Sequence, residues 1–226
     1  MNKRHFLFFA SGTLAAMSVT LALSSLARAQ FGAGLIREIT AEHNRIRQHP
    51  KMVADELRHA RATLIQSRVH GGESAADATR AIDDCIHDLD ALATKFPNGL
   101  PTLAVAPAGN TYAQRCVDTM PGSTHATPMD INAGWKANGY VGLATAESIT
   151  SFPDHGSDKE KAKIVVQGLL IDWGHSNILT GYGHRKFILD YETPSAPPKP
   201  GYAKKFKAIG IGISRIGRVR IQYGLN

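Results

Sequence analysis

His125, Glu147 and His184 are the residues whose types could do chemistry together. Two imidazoles and a carboxylate converging in one cleft can bind a divalent ion, polarise water or satisfy one another. His125 lies in the turn-like segment Gly122-Ser123-Thr124-His125-Ala126-Thr127-Pro128. Glu147 sits in Ala144-Thr145-Ala146-Glu147-Ser148-Ile149, a small and apolar setting where a carboxylate needs a partner. His184 follows Gly183 and heads Arg185-Lys186-Phe187-Ile188-Leu189.

A second Gly-His copy, Gly174-His175, stands nine residues before His184. On a helix of period 3.6, that spacing is about half a turn out of phase, so one helix cannot aim both rings into one pocket. Thr180-Gly181-Tyr182-Gly183 reads as a break between them. His175 is either an extra ligand on a lip of the cleft or a helix-capping surface residue. No His-Glu-x-x-His pattern is present, and Ser148 beside Glu147 lacks the Gly-x-Ser-x-Gly elbow of a hydrolase nucleophile.

The elements that must position these residues follow from periodicity. Helices are expected over 34–48, 52–69, 75–93 and 106–120, then a short one around Trp135, and an amphipathic one over 161–173. Residues 140–149 read as extended, the Pro-rich 193–201 as a loop, and 207–214 with 218–223 as a closing hairpin turned at Gly217. On the last strand, charges alternate with apolar residues, which reads as a wet face. Helices first and a hairpin last predict an α+β fold, with helices stacked on a small antiparallel sheet.

The first thirty residues read as an address rather than as fold. A basic start (Lys3, Arg4), an apolar run and Ala27-Arg28-Ala29 predict a signal peptide over 1–29 and a mature domain over 30–226, secreted, extracellular or periplasmic; an N-terminal anchor is the other reading. Removing 1–29 takes away Lys3, Arg4 and Arg28 and no acid, lowering the formal charge from +7 to +4. That balance is no nucleic-acid signature. In an oxidising compartment Cys85 and Cys116 are expected to face each other across two helices and form a disulfide.

Four segments, in order, resemble the CAP superfamily (cysteine-rich secretory, antigen 5 and pathogenesis-related 1 proteins; the SCP domain), in its bacterial type. They are Glu42-His43-Asn44-Arg45-Ile46-Arg47; Tyr112-Ala113-Gln114 with Ser123-Thr124-His125; Gly139-Tyr140 with Ala146-Glu147-Ser148-Ile149; and Gly183-His184-Arg185-Lys186-Phe187-Ile188-Leu189. Gly210-Ile211-Gly212 completes the order. The resemblance covers nearly all of 35–223 and implies a single α-β-α sandwich with a central cleft of two histidines and two acids, which in some members holds zinc or another divalent cation. Residue by residue it assigns His125, Glu147 and His184, and it puts the neutral Gln167 at the second acid position. It further implies a secreted, non-enzymatic binding module for a lipid, sterol or cell-envelope component; the alternative is a metal-assisted hydrolase using the same three residues.

Overall fold

Gln48 ends the first helix and Pro50 begins the second, because proline fits the first turn, where its missing N–H leaves nothing unbonded. The computed structural model describes residues 32–120, 122–190 and 205–225. The expected export segment and the Pro-rich loop lie outside those residues. Leu35–Asn226 form one compact unit, which holds the sheet and the candidate site.

In chain order the elements are α1 (Ala33–Gln48), α2 (Pro50–His70), α3 (Ala75–Lys95), β1 (Ala104–Val105), α4 (Pro107–Thr119), α5 (Pro128–Ala137), β2 (Leu143–Ser151), α6 (Asp158–Ile171), α7 (His175–Thr180), α8 (Gly183–Leu189), β3 (Ala208–Ile213) and β4 (Arg218–Leu225). Ser74, Thr127 and Ser157 open α3, α5 and α6 by accepting a backbone N–H, and at α6 Glu160 completes a capping box. The fold is a mixed α+β arrangement in which several helices pack on a four-stranded sheet of order β1-β3-β4-β2. β3–β4 and β4–β2 are antiparallel, and the two-residue β1, which the sequence pattern did not reveal, pairs parallel to β3. Among the described residues no helix is long and apolar enough to cross a membrane.

β4 lies inside the sheet, and its side chains alternate between two buried environments. Val219, Ile221 and Tyr223 join the main core, which also takes Leu35, Ile39 and Leu170 from the helices. Gly224, Gln222 and Arg220 face the other way, toward α4 and α5. On that side, Gly210 and Gly212 of β3 let α4 lie directly on the sheet. A Cβ at Gly210 would come 2.4 Å from the Gly109 backbone, and one at Gly212 equally close to that of Ala113. The Gly-Ile-Gly run is therefore a helix-seating device.

The structure departs from the sequence pattern at β4 and at the cysteines. The alternating charge on β4 is not a wet face: Arg220 and Gln222 are fully buried, because α4 and α5 cover that side and Glu147 supplies a counter-charge. The Cys85–Cys116 disulfide is absent; both thiols are free and buried. Cys85 belongs to the main core, whereas Cys116 belongs to the smaller cluster around Trp135 on the far side of the sheet.

Candidate functional site

Glu147 is held by the sheet. It stands opposite Gln222 in the β2–β4 register, with Ile149 opposite Arg220 next along. Its Oε1 accepts the Gln222 amide at 2.9 Å, and its Oε2 accepts Arg220 Nη1 and the Ala126 N–H at 3.0 Å each. Gln222 in turn accepts the indole N–H of the buried Trp135 at 2.8 Å, so one amide links the core aromatic to the carboxylate. Burial alone would push the Glu147 carboxyl up; His125, Gln222, the Ala126 N–H and Arg220 together hold it below the usual carboxylate range.

His125 reaches the same carboxylate from the segment between α4 and α5, with Nδ1 3.3 Å from Oε2, while half of its side chain stays exposed. The neighbouring Arg220 Nη2 donates to the Thr124 carbonyl, fixing the backbone one residue before the ring.

His184 arrives from the opposite side, on the first turn of α8. Its Nδ1 lies 2.7 Å from Asp172 Oδ1, and its backbone N–H donates to Asp172 Oδ2 at 2.9 Å. Asp172 ends α6 in the left-handed conformation (φ 61°) and is 1 % exposed. It thus serves as a remote cap for the start of α8, whose first N–H groups have no partner within the helix. A carboxylate only accepts, so Nδ1 of His184 carries the proton and Nε2 presents a lone pair in the neutral ring. Arg185 anchors the helix beneath: its guanidinium bonds Asp88 and the Leu170, Ile171 and Ala81 carbonyls with no exposure at all.

The two rings face each other with centroids 6.5 Å apart and planes 30° apart. The structure therefore brings His125, Glu147 and His184 together beside β2. His175 goes elsewhere: α7 and α8 are separate helices broken at Gly181 and Tyr182, and the exposed His175 meets Asp77 of α3 at 3.2 Å. Beside His184 lies a cavity of about 390 Å³, walled by α2, β2, α6 and the α6–α7 junction; it is lined by His184 and Gln167 but by neither His125 nor Glu147. A larger depression of about 1380 Å³ near the α1–α2 turn contains none of the three residues.

The donor set does not fit a resident cation. Among the described residues no group of three or more His, Cys, Asp or Glu side chains is arranged to hold a metal ion. Both oxygens of Glu147 are already committed, as are both of Asp172, and Gln167 is uncharged. Asp172 is the residue that sequence reasoning missed. Its only local signal was its place ahead of Trp173-Gly174, where a left-handed helix end suits Asp or Asn.

The remaining residues of the first motif are structural. His43 is fully buried; its Nδ1 donates to the Ile39 carbonyl at 3.0 Å, which leaves Nε2 to accept from the Tyr223 hydroxyl at 3.1 Å. Asn44 pairs both ways with the Leu103 backbone, Arg45 bonds Glu42 and Glu56, and Arg47 donates to the Pro101 and Ile188 carbonyls. Comparison of the chain with protein-family models, with curated proteins and with solved structures returns no match.

Proposed function

We propose that this chain is a CAP/SCP-like binding module, exported from the cell, that holds a ligand in the cleft between His125 and His184 without transforming it. The observation that carries the reading is the pair of facing imidazoles, each with its Nδ1 directed at its own buried carboxylate. That arrangement fixes ring orientation and leaves the remaining nitrogen of each ring uncommitted to a carboxylate.

The family resemblance gains support from the way its segments meet. Arg47 of the first segment bonds the Ile188 carbonyl of the last, and the Ala126 N–H beside the second bonds Glu147 of the third. An α-β-α sandwich is the architecture this suggests. A carboxylate on each Nδ1 suits binding and general-base chemistry alike, but among the described residues no serine or cysteine is bonded to either ring, so no protein nucleophile is paired with them. Ser148, one residue beyond Glu147 on β2, is fully buried. A hydrolase routed through a metal is disfavoured by the donor set described above.

The test is retention. Full-length protein and a His125→Ala/His184→Ala double variant are immobilised, exposed to a cell-envelope extract and eluted for mass spectrometry. The wild type should retain a compound that the double variant releases, and the compound should come off unchanged. Equal retention by both proteins sinks the cleft, and a compound altered by the wild type alone sinks the non-catalytic reading.

A further inference from the structure

We infer that the cavity beside His184 receives a neutral polyhydroxylated ligand, a saccharide unit; this deepens the binding reading above and rests on it. The cavity's charged residues are already compensated. Asp172 is committed to His184 and the start of α8, and Arg68 bonds Glu73 at 2.8 Å while lying over the Trp173 ring at 5.3 Å. Arg68 gives its Nε to Glu73 and stays 45 % exposed, so an anion would meet a guanidinium already neutralised by its neighbour and still in water, a weak reason to shed hydration.

What the lining does offer is a mixture of short polar groups and apolar faces. Gln167, Thr150 and Ser151 supply amide and hydroxyl groups, His184 supplies Nε2, and Leu64, Ile149, Ile164 and Trp173 supply carbon surface. Amides and hydroxyls both donate and accept, as sugar hydroxyls do, whereas a carboxylate at position 167 could only accept. An aliphatic chain in the same place would bury these groups without partners, at a cost for each. A saccharide presents hydroxyl rims and C–H faces together, which matches this alternation. The volume, about 390 Å³, is at the small end of ligand pockets and suits one or two sugar rings.

Uniformly ¹⁵N-labelled full-length protein is titrated separately with N,N′-diacetylchitobiose, maltose, sodium acetate, sodium phosphate and zinc chloride. The reporters are the Gln167 side-chain amide, the Trp173 indole N–H and the His184 ring nitrogens. At least one saccharide should shift all three, with a Kd that Gln167→Ala weakens about tenfold, while acetate, phosphate and zinc leave them in place. Because Gln167 is partly exposed and its side chain makes no hydrogen bond among the described residues, that variant should stay folded. Silence from both saccharides up to about 50 mM, well beyond a millimolar Kd, overturns the inference. If the reporters then still respond to the envelope extract, the binding cleft stands without the saccharide. Identical saccharide shifts in the His125→Ala/His184→Ala protein would remove both.

Discussion

Asp172 contacts His184 twice, its Oδ1 2.7 Å from the ring Nδ1 and its Oδ2 2.9 Å from the backbone nitrogen. One buried carboxylate thus starts a helix and fixes the tautomer of the ring that helix carries. Backbone and side chain of His184 are set by a single neighbour.

Asp172→Asn keeps a residue that tolerates the left-handed backbone but removes the charge. Loss of charge-assisted bonds should lower stability by about 1.5–3 kcal/mol in urea denaturation. In ¹⁵N spectra His184 should change from one tautomer to a mixture. An unchanged tautomer would show that something other than Asp172 sets it.

Arg220→Met leaves Glu147 buried beside Gln222 with its fixed positive charge gone. Breaking such a pair should cost about 3–5 kcal/mol, and adding Glu147→Leu should restore much of it. The carboxyl of Glu147 is held low in the folded state, so its contribution is present above the ordinary carboxylate range and lost as pH falls through its folded value. The penalty of Glu147→Gln should accordingly shrink in acid. A penalty that stayed constant from neutral to acid pH would contradict the ion pair.

Acid sensitivity should divide between two buried groups of opposite sign. Burial lowers His43 from 6.5 to about 4, so between those values the unfolded chain binds the extra proton and stability falls as pH falls. The loss from this one group is about 3 kcal/mol. Burial raises Asp190 from 3.8 to about 7, despite the nearby Arg47, so the folded chain binds the extra proton and stability rises as pH falls across that window. His43→Phe should therefore flatten the acid loss and Asp190→Asn should steepen it, measured by urea denaturation from pH 7.5 to 4. Parallel changes in the two variants would refute the assignment.

Gly212→Ala should destabilise by about 1–3 kcal/mol, the cost of an over-packed seam, because its methyl group would sit 2.4 Å from the Ala113 backbone. Gly168→Ala serves as a control, since nothing lies within 4 Å of the added carbon. Thermal melts of the two proteins should separate clearly. Equal melting temperatures would mean that α4 can lift off the sheet freely.

Much of the skeleton was legible because it follows local rules. Apolar spacing and the Pro50 start placed α1 to α3, and the break at Gly181 separated the two Gly-His copies. What sequence could not carry was long-range pairing. Arg220 looked like a solvated charge on an alternating strand until the layer over it and its bond to Glu147, 73 positions away, were known. Cys85 and Cys116 looked like a pair because a sequence does not tell which face of a sheet a helix covers. Asp172 was hidden for a related reason: its helix-ending role is local, but its partner lies on the next helix but one.

The seam at Gly210 and Gly212 has a mechanical consequence. Where backbone rests on backbone there are no rotamers to absorb a displacement, so α4 and the sheet behave as a rigid joint rather than a cushioned one. Gln222, beside Gly210 in the sheet, bonds Glu147, and Glu147 meets His125. The half of the cleft built on His125 is therefore braced like a fixed jaw. His184 rides on a seven-residue helix held by Asp172, by Arg185, by Arg47 on the Ile188 carbonyl, and by Ile188 and Leu189 in the core. Both backbones are thus tied into the core, and the latitude in the gap lies with the rings themselves, more with the half-exposed His125 than with His184.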